Sequence, residues 1–357
     1  MKDFAKFFLN EDWKSVQASA RVFLGAFGKH PGWNDHMDPL GLVTATMVEG
    51  KEIIYGGIAH QIEHAVWDKA GAEKVLPGFD HVFHWRRLNE SLTGLMWSST
   101  DGKGRALYPM IVVAHSVTRS FTWLAAEVLP ALEDVKAKCR ETKSSGVVIA
   151  HLRGVEKNLQ ERMPDPNRVQ TSAGLGVPAW AAYLQKDPMA LRRVLHHLRR
   201  NFAVFTPGTL EWCKGEKGAS RTLRLPQIPG AAPAESLNAW ISFLATQLDP
   251  AVPLLGLLPA GEKWLDVIVG EPTATDFALL RTRASELPVV TDIPYEVAPE
   301  TKAEDDRMAA NVARGVLPDF SCLNGQPATA NRDVAAKWLV RFRPGSRPGF
   351  FSRLFSS

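Results

Sequence analysis

The most chemically suggestive residues in the chain are His60, Glu63 and His64, which read His-x-x-Glu-His. Two histidines four apart share one face of a helix, so both could reach one zinc ion. Glu63 beside them would then act as the base that activates a metal-bound water. This is the inverted zinc-protease signature, and such a site needs a distant carboxylate as a further ligand. Glu141 stands at a suitable separation, with Glu127 and Glu133 as other choices. Yet a five-residue pattern arises easily by chance, and two histidines on the polar side of an amphipathic helix need bind nothing. A metal-dependent hydrolase is therefore the second reading of the chain, not the first.

With His30, His36, His81 and His84, six of the ten histidines fall between positions 30 and 84, a density that favours a shared polar site. His81 and His84, however, lie on an expected strand, where residues three apart face opposite sides and cannot share an ion. Residues Gly25 to Gly32 look superficially like a phosphate loop. That loop needs a glycine five before Gly28 and Ser or Thr after Lys29, and those positions hold Phe23 and His30. No Gly-x-Ser-x-Gly elbow occurs, and Ser98 and Ser99 precede a turn without its glycines. Paired carboxylates for sugar chemistry do not stand out. The residues require no cofactor.

A chain of 357 residues has room for two domains of ordinary size, and 45% apolar with 22% charged residues suffices for a sizeable core. A net charge of +4 is too small to mark a nucleic-acid surface. Cys139, Cys213 and Cys322 are too few and too scattered for a disulfide framework or zinc knuckle, which suits reduced thiols in the cytoplasm. Charges interrupt residues 1–12, unlike a signal peptide, and no uncharged apolar run approaches the roughly 20 residues of a membrane span. A soluble, cytoplasmic protein is expected.

The elements that would position these residues follow from periodicity. Residues 1–19 suggest an amphipathic helix carrying Phe4, Phe7 and Phe8, and Val22–Phe27 a buried strand ending at Gly28. Gly28 to Pro39 reads as a loop without regular structure. A helix is expected over Gly57–Ala70, strands over His81–Trp85, Leu92–Trp97 and within Arg105–Ala114, and a helix over Ser120–Lys138. Between the last two strands, Asp101-Gly102 is a hairpin signal in which glycine would accept positive φ. Residues 141–200 are largely helical in pattern, with Asp187 as N-cap and Pro188 at the first position of one helix. Strands follow near Phe202–Phe205 and Thr222–Leu225, then a helix over Pro233–Leu248 and strands near Leu254–Leu258 and Trp264–Val269. Residues 296–306 read as a linker. Four segments result: an α+β domain (1–140), a helical connector (141–200), a second, smaller α/β lobe (201–295), and a linker with C-terminal tail (296–357). In the tail, Arg341, Arg343, Arg347 and Arg353 alternate with Phe342, Phe350, Phe351 and Phe355, which suits an acidic membrane surface, a partner's groove or a simple apolar plug.

Two glycine-rich turns carry a resemblance. The first combines Gly25, Phe27, Gly28, Lys29, Pro31, Gly32 and, after an insertion of Trp33 and Asn34, Asp35. The second combines Ser99, Asp101, Gly104, Arg105, Tyr108 and Pro109, with Ser98 where a proline would stand. Together, at this separation, they resemble the signatures of the TagF/ImpM family, accessory proteins of bacterial type VI secretion, over about the first 135 residues. The resemblance implies an α+β fold, longin-like or profilin-like, with a mixed sheet flanked by helices. It also implies a non-catalytic, post-translational regulator acting through protein partners such as forkhead-associated-domain proteins. The interaction or structural motif is then Gly28, Lys29, Pro31, Gly32, Trp33, Asp35, Ser99, Asp101, Gly104, Arg105 and Pro109. If the two turns adjoin, Asp35, Lys29, Asp101 and Arg105 would pair, leaving Trp33 and Trp97 near an exposed apolar surface.

Overall fold

A computed structural model describes residues 22–117, 121–161, 179–184, 186–202, 221–248, 251–293 and 299–316. The expected helix over 1–19, the tail 341–355, Cys213 and Cys322 lie outside these residues. Among the described residues, eight strands form a single antiparallel sheet: β1 (Val22–Lys29), β2 (His36–Leu40), β3 (Asp80–Arg86), β4 (Glu90–Ser98), β5 (Pro109–Val117), β6 (Arg221–Pro226), β7 (Leu254–Pro259) and β8 (Trp264–Val269). Their order is β2-β1-β5-β4-β3-β7-β8-β6. The class is α+β. The two stretches of strands, far apart in the chain, meet where β3 pairs with β7, His81 opposite Pro259 and Arg86 opposite Leu254. The sheet is antiparallel at every pairing, where a mixed sheet was expected, because each neighbour runs back along the last.

Side chains alternate across the pleat and so supply two cores. Leu95, Trp97, Met110, Val112 and Ala114 face one side; Met96, Ile111, Val113 and Phe27 face the other. The first side is covered by the helical run Phe121–Trp123, Leu124–Val128 (one π turn) and α3 (Leu129–Glu141), with α4 (Ser145–Glu161), α5 (Ala179–Leu184), α6 (Pro188–Phe202), α7 (Pro233–Gln247) and α8 (Pro299–Ala313). The second is covered by α1 (Ala45–Glu63), α2 (Val66–Ala70) and a 3-10 segment, Ala274–Arg281. Among the described residues no helix is long and apolar enough to cross a membrane.

Several expectations change. His36–Leu40, placed in a loop, is an edge strand against β1, and an edge position tolerates Pro39, which has no N–H to give to a further strand. The rest of that edge is covered: Leu24 N donates to Glu156 Oε1 (2.9 Å) and Gln160 Nε2 to the Val22 carbonyl (3.3 Å), both from α4. The helix expected from Gly57 begins at Ala45 behind the Thr44 cap and stops at Glu63, where Ala65 turns into left-handed backbone at φ 50. Phe202 closes a helix rather than opening a strand; the remainder of that expected strand, 203–205, lies outside the described residues. Residues 299–306, expected as linker, belong to α8, which is held to α6 by buried Met308 and Val312 and by His196 Nδ1 with Asp305 (3.0 Å). Asp187 does cap α6, accepting from Met189 N and Ala190 N at 3.1 Å.

The far end of the sheet is fixed by a buried ion pair. Arg224 on β6 donates through Nε and Nη2 to the two oxygens of Asp266 on β8 (2.7 and 2.8 Å), and through Nη1 to the Leu287 carbonyl, its plane over Trp264. Burial pushes the Asp266 carboxyl up and Arg224 opposes it. Arg224→Leu therefore strands a buried carboxylate and should cost about 3–5 kcal/mol in urea unfolding, whereas adding Asp266→Leu should restore much of it. A double variant no more stable than the single would refute this account of the pair.

Candidate functional site

The two turns meet at one end of the sheet. β1 delivers Lys29 and then Pro31 to Asp35; the connection between β4 and β5, paired from Ser98 with Pro109, carries Asp101 to Arg105. Lys29 Nζ, almost wholly buried, donates to Asp35 Oδ1 (2.7 Å) and Asp101 Oδ2 (2.9 Å). Arg105 repeats that bridge from outside: its Nε reaches Asp101 Oδ2 at 2.7 Å and its Nη2 lies 3.1 Å from Asp35 Oδ1. Two cations and two carboxylates thus alternate around a closed ring. The backbone seals it, Gly102 N donating to the Trp33 carbonyl (2.7 Å) and Arg105 Nη2 to the Asn34 carbonyl (3.0 Å).

Asp101 is the hub. Its side chain is inaccessible to solvent, and besides the two cations it accepts from the N–H groups of Lys103 (2.9 Å) and Arg105 (3.0 Å), the pattern by which Asp shapes a turn. Burial alone would raise its pKa; the Lys29 hydrogen bond and the two backbone donors overcome that and hold the carboxyl well below the usual range. Asp35 is exposed, and Lys29 chiefly, then the His36 N–H, holds it low too. Arg105 is held above its ordinary value by Asp101. The two carboxylates and Arg105 therefore stay charged across the neutral range.

The motif glycines have separate jobs. Gly28, at φ +121, would place a Cβ 2.2 Å from the Pro109 carbonyl oxygen, so the first turn and the start of β5 approach as only glycine permits. Positive φ in the second turn falls on Gly104 (φ +80), not on Gly102 as the Asp-Gly signal suggested; Gly102 is small because it faces the Pro31 and Trp33 carbonyls. Gly32 packs against the start of α4, its N–H donating to His30 Nδ1 (2.9 Å). His30 Nε2 in turn donates to the Cys139 carbonyl, and burial lowers the His30 pKa, keeping the ring neutral. Ser98 Oγ accepts from Phe79 N (2.7 Å), while Ser99 makes none of these bonds.

The expected exposed tryptophans are not there. Trp97 is 1% exposed in the first core, as its inward position on β4 requires, and Trp33 is half-buried against the same core and His30. What the ring leaves outside is Asn34, Asp35, Lys103, Arg105 and Leu107, beside the stacked rings of Tyr55 and Tyr108 (centroids 5.2 Å apart), which His36 meets edge-on.

His60 and His64 do come together, ring centroids 4.1 Å apart, but His64 lies past the helix end and its Nδ1 donates to the His60 carbonyl (2.9 Å). Glu127, Glu133 and Glu141 belong to the helical run on the opposite side of the sheet from α1, because α1 packs on one core and that run on the other. Among the described residues no group of three or more His, Cys, Asp or Glu is placed to hold a metal ion. His81 and His84 are buried on opposite faces, pushed down to about 4 and about 3 by burial, so the histidine-rich region makes no common site. The buried Cys139 thiol, pushed up to about 12 by burial, is unreactive. Sequence comparison adds no assignment: no family model and no curated protein matches the chain.

Proposed function

We propose that the chain is a non-catalytic adaptor: a post-translational regulator of a type VI secretion-like apparatus that works in the cytoplasm through protein contacts, with forkhead-associated-domain or secretion-apparatus proteins as partners. The observation that carries this reading is the closed ring of Lys29, Asp35, Asp101 and Arg105, which unites the two turns of the TagF/ImpM-like signature into one rigid surface. The ring is built for shape. Asp101 accepts four hydrogen bonds and Lys29 is held between two carboxylates, so neither is poised to move a proton. An alternation of fixed charges at the rim of a folded sheet suits recognition, where complementary charge sets register and partner choice.

Affinity purification of the full chain from cells assembling such an apparatus tests the reading. Components of the secretion machinery or a forkhead-associated protein should co-purify; recovery of neither would overturn it.

A further inference from the structure

Next to the motif surface, a cavity of about 120 Å³ opens between α1, α2 and the sheet, lined by Gln61, Trp67, Phe79, Leu107 and Arg281. Small-molecule sites usually occupy roughly 300 Å³ or more, so this one fits a single side chain rather than a free metabolite. Arg281, the last residue of the 3-10 segment, is held on several sides. Its Nε donates to the Leu76 carbonyl (2.9 Å), and its guanidinium lies over Trp67 at 5.3 Å and Phe79 at 6.0 Å. Trp67 is itself anchored through Nε1 to the Ala278 carbonyl (3.0 Å).

The two terminal nitrogens of Arg281 make no hydrogen bond or ion pair with any described residue. Burial lowers its pKa from the ordinary value, and the charge of Asp68 offsets that only in part, so the cation has lost some of its water without a close ion pair. A guanidinium fixed in place with its fork unused is the geometry that takes a carboxylate through two parallel bonds. Asp68 stands on the rim beyond ion-pairing distance and disfavours anything more negative than a monoanion. At the mouth, Leu107 is 64% exposed, an apolar contact for whatever flanks the acid.

We propose that this cavity receives a carboxylate side chain from an acidic segment of the partner protein, with Arg281 taking the carboxylate and Leu107 an adjoining apolar residue. The inference rests on the adaptor reading and names the chemistry by which the partner is recognised. The charged ring would then set the register beside it.

The test uses the full chain labelled with 5-fluorotryptophan, the Trp67 resonance being assigned by its loss in Trp67→Phe. The probes are acetyl-Leu-Glu-Leu-amide and its glutamine counterpart. The glutamate peptide should shift the Trp67 resonance saturably and the glutamine peptide at least about ten-fold more weakly. Arg281→Gln should abolish the preference, Leu107→Asp should weaken binding without touching the cavity floor, and Asp68→Asn should strengthen it. No response, an equal response to both peptides, or a preference that survives both Arg281→Gln and Leu107→Asp would overturn the proposal. Partner co-purification with a silent cavity would sink the pocket and leave the adaptor reading intact. A responsive cavity in a chain that captures no secretion protein would do the reverse.

Discussion

Replacing Gly28 by alanine is expected to be among the most damaging single-methyl additions to this protein. The residue sits at φ +121, where an L side chain strains the backbone by about 1–3 kcal/mol. The added Cβ would also meet the Pro109 carbonyl oxygen at 2.2 Å and Met110 Cα at 3.0 Å. Neither strand can withdraw cheaply, since Gly28 is opposite Met110 on one side and Met37 on the other. For a chain whose whole stability is of order 5–15 kcal/mol, the melting temperature should fall by about 5 °C or more. Gly104 gives the internal comparison: φ is +80 but nothing lies within 4 Å of its Cβ, so Gly104→Ala should lose only the backbone share, about 1–2 kcal/mol. Equal losses at the two positions, or a Gly28→Ala protein that melts with the parent, would show that close approach of the two turns is not what Gly28 secures.

The second large effect is expected at Asp101. Asparagine keeps the shape but removes the charge, and its amide would present a donor where Lys29 and Arg105 also donate. Lys29 would be left buried with only Asp35, whose carboxylate is exposed. Asp101→Asn should therefore unfold several degrees below the parent. It should also unfold with a different pH dependence. The folded Asp101 carboxyl lies below its ordinary value of 3.8, so its contribution is complete above that value and is lost as pH falls through it toward the folded one. Urea midpoints should fall for the parent as the solution is acidified below about pH 4 and fall less steeply for Asp101→Asn. Some slope remains, because Asp35 is depressed in the same direction. Parallel curves would remove Asp101 from the centre of the ring.

How much of this could be read from the residues depends on the range of the interaction. Trp264–Val269 is a strand with the bounds its apolar run suggested, and Asp187-Pro188 opens a helix as its chemistry requires. The charge partners were legible because the turns have strong signatures and because Asp, Arg and Lys at fixed offsets leave few ways to pair. The β3–β7 pairing was not legible, since strands buried on both faces look alike whatever their neighbour. Nor was the start of α1, whose Gly50, Gly56 and Gly57 dilute the helical signal; Gly57 is required where Phe277 presses on the helix, a contact between residues 220 apart. α8 was hidden by its charges, with little beyond Met308 and Val312 to reveal its packed side. The Arg281 cavity depends on the same long-range meeting of α1, α2 and the 3-10 segment, and no local pattern announces it.

The most direct test of the adaptor account is to measure how tightly a partner recovered with the full chain binds purified Arg105→Gln. Arg105 is about half exposed, on the outer side of the ring, so the variant should keep its fold while losing both the bridge to Asp35 and the cation offered to a partner. Lys157→Gln, on the outer surface of α4, is the control. The account predicts binding at least about ten-fold weaker for Arg105→Gln and unchanged for Lys157→Gln. A folded Arg105→Gln protein that binds its partner as tightly as the parent would contradict the assignment of the two turns as the docking surface.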